Sequence, residues 1–360
     1  MKKILVVDDS ALMRRVLCDI IDSDERFRVV ARATNGLEAF DLLSRNQYDA
    51  VVLDVNMPKM NGLELLKELQ KYKIPAKVMM ASTDTREGAK TTLDALELGA
   101  LDFIHKPDNA LDCRVETFRT ELLRILEGVA SGKMPVFKDA ATQHLEQKMN
   151  IRLADMIQKT PLKVPGKKVV AIASSTGGPK SLQTLISGLP ATLDAPVLVV
   201  QHMPKGFTAS LAERLDANCK IKVVEAQDGQ ELSEGCVYIA MGGRHMKIRT
   251  SSMGRYYVQY TDEPPREGVR PCANYMYESL KSSLFDKVVC AVMTGMGADG
   301  TEGIRNLKDS KKVHVIAQDR ESCVVYGMPK SIVEAGLADQ VISLEQLAQE
   351  IVLQVGIAVQ

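Results

Sequence analysis

Apolar positions in the first 128 residues fall into short runs that alternate with amphipathic stretches. Ile4 to Val7, Val29 to Ala33, Val51 to Leu53, Val78 to Ala81 and Leu101 to Ile104 are of strand length. After them, Leu12 to Ile21, Leu37 to Leu43, Leu63 to Leu69, Leu93 to Leu98 and Phe118 to Leu126 carry apolar residues at helical spacing. Five strand-helix units predict a parallel α/β sheet with helices on both faces, over residues 1–128. From 129 to 168 the strand signal stops and the chain turns polar, with Leu145, Met149, Leu153, Met156 and Ile157 at near-helical spacing. We read a linker containing one short amphipathic helix. Eight Lys or Arg against three acids between Gly128 and Lys168 fit a solvated segment better than one laid on an acidic partner.

From Val169 the alternation resumes and defines a second domain, 169–360. Strands are predicted at Val169 to Ala173, Val197 to Val200, Ile221 to Val224 and Val288 to Met293. Helices are predicted at Ser181 to Leu189, Thr208 to Ala217, Tyr275 to Leu284 and onward from Thr301. Alternating residues from His245 to Tyr260, flanking Ser251-Ser252-Met253-Gly254, predict a hairpin. The pattern is a second doubly wound α/β sheet with a small β-hairpin insertion.

Composition narrows the class. The 360 residues suit two domains, and 45% apolar with 26% charged is a soluble globular composition. No apolar run approaches the roughly 20 residues of a membrane span. Met1-Lys2-Lys3 leads straight into a strand, so we expect no signal peptide and a cytoplasmic protein. Seven scattered cysteines without a C-x-x-C pair speak against a disulfide framework or a structural zinc site, and suit small core residues. With 46 basic and 46 acidic residues, no global field attracts nucleic acid.

Polar residues at the ends of the first domain's strands carry chemistry. Asp8 and Asp9 end the first, Asp54 the third, Ser82 and Thr83 the fourth, and Lys106 lies past the fifth. Ligand sites in such sheets lie beyond the carboxyl ends of the strands. Three carboxylates in one crevice repel unless a lysine or a divalent cation compensates, and oxygen-only ligands favour magnesium (Mg2+). Singly, each residue has a plain use as a helix cap or solvated side chain. Together with Asp54-Val55-Asn56-Met57-Pro58-Lys59-Met60-Asn61-Gly62, they make the first 125 or so residues resemble the receiver domain of two-component response regulators, which is flavodoxin-like. The resemblance implies that Asp54 receives a phosphoryl group, and that Asp8, Asp9, Asp54 and the Asn56 carbonyl hold magnesium. It also implies that Ser82, Phe103 and Lys106 form the switch, with Thr83 the adjacent alternative to Ser82.

In the second domain, Ser174-Ser175-Thr176-Gly177-Gly178-Pro179 follows a strand and opens a helix. Two glycines allow positive φ, and Pro179 suits the first helical position. A hydroxyl there sits beside free N–H groups, where negative charge is stabilised. Alone, the turn also suits a phosphate or dinucleotide loop or a plain connection. Gln201-His202-Met203-Pro204 and the loop holding Asp299 follow two further strands. If the three strands are parallel neighbours, Ser175, His202 and Asp299 converge as a nucleophile, base and orienting acid. A packed histidine and a turn-forming aspartate fit the same spacing.

Four separated stretches stand out in the second domain: Ser175-Thr176-Gly177-Gly178, Gln201 to Thr208, Thr294-Gly295-Met296-Gly297-Ala298-Asp299-Gly300, and Ser322 to Pro329. With them the second domain resembles the catalytic domain of the chemotaxis protein-glutamate methylesterases, a Rossmann-like α/β hydrolytic domain. The resemblance implies that Ser175 rather than Ser174 is the nucleophile, His202 the base and Asp299 the orienting acid, with the Met296 N–H in the oxyanion hole. It further implies a phosphorylation-activated serine hydrolase. Such an enzyme cleaves glutamyl methyl esters on methyl-accepting chemoreceptors, releases methanol and also deamidates receptor glutamines. It needs no cofactor for the ester chemistry, takes its phosphoryl group from a chemotaxis histidine kinase, and meets the membrane only through the receptors. In the resting state the receiver would cover the serine site, and phosphorylation would favour an open arrangement. Three departures, Ser174 before the nucleophile, Cys272-Ala273-Asn274 after Pro271, and Met241 before Gly242, are expected to leave the triad untouched. The alternative is a response regulator whose output domain binds a nucleotide or another partner. The missing G-x-G-x-x-G, P-loop and helix-turn-helix patterns count against it.

Overall fold

A computed structural model describes residues 1–83, 86–107, 115–135 and 162–358. The expected linker helix around Leu145 to Ile157 lies outside them. Contacts divide the chain into two compact units, Met1–Lys138 and Asp139–Gln360.

The first unit alternates β1 (Lys2–Val7), α1 (Ala11–Asp22), β2 (Phe27–Ala33), α2 (Gly36–Arg45), β3 (Ala50–Asp54), α3 (Gly62–Lys71), β4 (Val78–Thr83), α4 (Arg86–Glu97), β5 (Asp102–Lys106) and α5 (Glu116–Ser131). The strands form one parallel sheet in the order β2-β1-β3-β4-β5. Every residue of β3 is buried, as a central strand covered on both faces requires. Helix starts are fixed locally: Ser10 accepts from the Met13 N–H, Asn35 from those of Leu37 and Glu38, and Asn61 and Glu64 form a capping box. The order reverses between β1 and β3, so the ends carrying Asp8 and Asp54 border the crevice that such a reversal opens.

The second unit runs β6 (Lys168–Ser174), α6 (Gly178–Ser187), β7 (Val197–Gln201), α7 (Phe207–Asn218), β8 (Lys222–Glu225), β9 (Cys236–Ile239), β10 (His245–Thr250), β11 (Tyr256–Thr261), α8 (Ala273–Ser279), β12 (Lys287–Val292), α9 (Thr301–Lys308), β13 (Val313–Gln318), α10 (Met328–Glu334), β14 (Gln340–Ile342) and α11 (Leu344–Val355). Seven parallel strands lie in the order β14-β13-β12-β6-β7-β9-β8, and β10 and β11 form the separate antiparallel hairpin. The fold is therefore α/β with parallel sheets, as the pattern predicts. Strands β9, β13 and β14 were not anticipated. β14 is a three-residue edge strand, and β9 is a four-residue run, Cys-Val-Tyr-Ile, too short to show a period. The helix expected over Tyr275 to Leu284 ends as a 3₁₀ turn, Leu280–Ser282. Val169, Ala171 and Ala173 of β6 and Val288, Cys290 and Val292 of β12 share one core with Tyr238, Tyr277 and Met328. Residues of β6 and β12 are nearly all inaccessible, so their carboxyl ends are rigid platforms.

Candidate active site

Strand order brings β12, β6 and β7 side by side, with Val292 opposite Ala173 and Ser174 opposite Gln201. The ladder continues past the strand ends. The Met293 N–H donates to the Ala173 carbonyl, the Ser175 N–H to Thr294, and the His202 N–H to Ser174. Ser175, His202 and Thr294 are thus laterally registered at one sheet edge, at the reversal between β6 and β12.

The serine turn departs from expectation in two details. Only Gly177 has positive φ, at 77°, while Gly178 is already helical and Pro179 is the second helical residue. Proline is tolerated there because the first turn's N–H groups lack intrahelical partners anyway. Gly178 is required for space instead: a Cβ would lie 1.9 Å from Gln201 Oε1. Gln201, buried at the end of β7, explains how the two serines differ. Its Oε1 accepts from Ser174 Oγ at 2.7 Å, and its Nε2 donates to the Ser175 carbonyl at 3.0 Å and the His202 carbonyl at 3.2 Å. Ser174 is fully buried with its hydroxyl committed, whereas the Ser175 hydroxyl makes no hydrogen bond among the described residues.

His202 Nε2 lies 2.7 Å from Asp299 Oδ2. Burial opposes ionisation of Asp299, but His202, Cys272 and the Ala273 N–H outweigh it and hold the carboxyl below its usual range. An ionised carboxylate only accepts, so Nε2 carries a hydrogen, and in the neutral ring Nδ1 is the nitrogen with the free lone pair. That Nδ1 is buried and has no hydrogen-bond partner among the described residues. The Met296 N–H likewise makes no hydrogen bond there.

The expectation that the departures leave the triad untouched is overturned. Asp299 Oδ1 accepts from Cys272 Sγ at 3.0 Å and the Asn274 N–H at 2.9 Å, and Oδ2 accepts from the Ala273 N–H at 2.6 Å. The carboxylate sits at the start of α8, where N–H groups are unpaired within the helix. The Met241 N–H, which a proline would lack, donates to Tyr260 Oη at 2.7 Å. Thr294 was named only as part of a motif. Its hydroxyl accepts from the Val325 N–H and donates to the Thr176 carbonyl, each at 3.0 Å, tying the Ser322 to Pro329 stretch to the serine turn. Gln201 and Thr294 each open a stretch that carries the family resemblance, but nothing in those stretches signals the hydrogen bonds their side chains make.

In the first unit, Asp8, Asp9 and Asp54 present oxygens all within 4.8 Å of one another. Lys106 Nζ donates to Asp54 Oδ1 at 2.6 Å and to Asp8 Oδ2 at 3.1 Å. Burial pushes both carboxyls above their usual range against the pull of Lys106. Burial works against the ammonium too, but Asp54 and Asp8 prevail and hold Lys106 above its ordinary value. Among the described residues one lysine bonds to this group of three carboxylates, and oxygen donors so spaced fit a small divalent cation. Ser82 and Phe103 are buried, and Asn56 is exposed in the loop after β3.

The CheB methylesterase family model matches residues 170–351, and the response regulator receiver domain model matches residues 4–115. A protein-glutamate methylesterase/protein-glutamine glutaminase 1 of Syntrophomonas wolfei subsp. wolfei is 40% identical over 356 residues, covering 97% of this chain and 98% of that protein. The protein-glutamate methylesterase/protein-glutamine glutaminase of Bacillus subtilis is 39% identical over 357 residues, with 98% of each chain covered. The crystal structure of the Thermotoga maritima CheB methylesterase catalytic domain matches with a TM-score of 0.51 and 41% identity, covering 53% of this chain and all of that one. With both units matched in one chain, and relatives matched along almost their whole length, this chain belongs to the CheB methylesterase family, joining a methylesterase unit to a response regulator receiver domain.

Proposed function

We propose that this protein is a phosphorylation-activated serine hydrolase, a protein-glutamate methylesterase and protein-glutamine glutaminase that acts on methyl-accepting chemoreceptors. The observation that carries the reading is a histidine whose Nε2 is held by a buried carboxylate while, among the described residues, neither its buried Nδ1 nor the hydroxyl of Ser175 in the neighbouring turn has a hydrogen-bond partner. We assign residues 1–128 to the receiver, 129–168 to the linker and 169–360 to the catalytic domain.

In this reading, Ser175 Oγ attacks the ester carbonyl as His202 Nδ1 takes its proton. The N–H of Met296 stabilises the developing oxyanion. Nδ1 then returns the proton to the leaving methoxide, which departs as methanol. In the second half, Nδ1 removes a proton from water, and the hydroxide attacks the acyl-enzyme. The intermediate collapses by breaking the bond to Ser175 Oγ, which takes the proton back from Nδ1, and the freed glutamic acid loses its own proton to solvent to become the carboxylate. With a glutamine side chain the same steps release ammonia. Asp299 keeps the Nε2–H tautomer and offsets the imidazolium charge. Apo geometry need not show the serine–histidine hydrogen bond, which often tightens only with substrate bound.

In the receiver, Asp54 accepts the phosphoryl group from a chemotaxis histidine kinase. Asp54 Oδ1 is occupied by Lys106 and the Val55 N–H, which supports Oδ2 as the attacking oxygen. Asp8, Asp9, Asp54 and the Asn56 carbonyl would hold magnesium, which when bound neutralises charge on the phosphoryl oxygens. Ser82, Lys106 and Phe103 would carry the switch.

The test is the initial rate of methanol release from methylated receptor membranes, with and without magnesium and beryllium fluoride, a mimic of aspartyl phosphate. A rate that rises with the mimic supports hydrolase and switch together. A rate indifferent to it removes the regulation through Asp54, and no release in either state removes the esterase.

A further inference from the structure

Four donors seat the Asp299 carboxylate, and three come from consecutive residues, Cys272 Sγ, Ala273 N and Asn274 N. Two of these are backbone groups that any sequence could supply. The thiol is the donor that side-chain choice supplies. It reaches Oδ1, the oxygen His202 does not use, at 3.0 Å. Cys272 is itself fixed in place. Its N–H donates to His245 Nδ1 at 3.2 Å, and His245 Nε2 lies 3.3 Å from the Pro264 carbonyl. His245 therefore accepts at one nitrogen and donates at the other, which only the neutral ring does. Both His245 and Cys272 are fully buried. Burial and the neighbouring Asp299 charge push the thiol up, so it remains a donor.

We propose that Cys272 is a positioning residue of the hydrolytic site: its thiol hydrogen bond, braced by His245, fixes the rotation of the Asp299 carboxylate so that Oδ2 meets His202 Nε2. Without the thiol, Oδ1 keeps, among the described residues, only the Asn274 N–H. The carboxylate then turns more freely about its Cβ–Cγ bond, and the histidine ring it orients follows. The inference rests on the triad reading above.

The experiment uses the full chain with magnesium and beryllium fluoride, and measures kcat and KM for methanol release from methylated receptor membranes. Cys272→Ala is expected to lower kcat about tenfold with KM within about twofold, since the lost contact is a hydrogen bond to a charged group that binds no substrate. Cys272→Ser keeps a donor and is expected to recover to within about threefold of the unaltered protein. Cys272→Val fills the space without a donor and is expected to stay as slow as Cys272→Ala. A fast valine variant, or a serine variant no better than alanine, assigns Cys272 to packing and overturns the proposal. Should the alanine variant fail to fold, the serine and valine variants decide alone. A Ser175→Ala variant run beside them separates the two failures: if it keeps full activity the triad reading itself falls, and if it is inactive while valine at 272 is fast, only this inference falls.

Discussion

Gly178→Ala tests whether the serine turn is built to the tolerance the structure implies. Alanine is the better helix former, and at the start of α6 the change would by itself be neutral or stabilising by about 0.4–1 kcal/mol. Space decides against it. The new Cβ would lie 1.9 Å from Gln201 Oε1, 2.8 Å from its Cδ and 3.1 Å from Ser174 Cβ, where contacts under 3.0 Å are essentially never seen. The carboxamide must therefore retreat by about 1.1 Å. A side-chain tip on the surface would do so cheaply, but Gln201 is buried and holds Ser174 Oγ and the carbonyls of Ser175 and His202. A retreat of that size breaks the 2.7 Å bond from Ser174 and loosens the Ser175 carbonyl. Each buried polar group left unpaired costs about 1–3 kcal/mol, which outweighs the helix gain. A displacement near 1 Å at the nucleophile is expected to lower kcat by about a hundredfold. The assay is methanol release from methylated receptor membranes, with a thermal melt to confirm folding. Gln201→Ala removes the obstacle, so adding Gly178→Ala to it should cost nothing further, and the double-mutant cycle should show strong coupling. A Gly178→Ala protein with kcat within about twofold of normal, or additive effects in the cycle, would refute the reasoning.

The serines separate by substitution. Ser175→Ala is expected to lower methanol release by at least about a thousandfold, whereas Ser174→Ala should cost about 1–3 kcal/mol by stranding Gln201 Oε1, seen as a lower Tm, with activity within about tenfold. In the receiver, Asp54→Asn is expected to make the esterase rate indifferent to beryllium fluoride, and EDTA should abolish the stimulated increment in the unaltered protein; a mimic that still stimulates either would contradict the assigned site. Acid stability follows from Asp299, whose folded pKa lies below its ordinary 3.8. Its contribution is complete above pH 3.8 and is lost as pH falls from there through the folded value, because the unfolded state binds the proton first. Melts between about pH 5 and 3 should show a shallower loss for Asp299→Asn than for the unaltered protein, and equal slopes would rule the contribution out.

The sequence by itself determined the local grammar. Alternating apolar runs specified two parallel α/β sheets, because strand and helix periods depend on neighbours a few residues apart. Asp8, Asp54 and Lys106, and separately Ser175, His202 and Asp299, were legible because chemistry in such sheets collects at the carboxyl ends of strands. Pattern could not give the lateral order. That β12 inserts beside β6, across from β7, is a pairing of strands more than a hundred residues apart, and it alone makes Asp299 a neighbour of His202. The roles of Gln201, Thr294 and Cys272 were hidden for the same reason. Each acts through hydrogen bonds to residues remote in sequence, and a buried polar side chain shows its partner only once the fold has closed around it. Gly178 is the sharpest case: its sequence suggested a need for positive φ, while the tertiary structure shows a helical residue kept small by a glutamine 23 positions away.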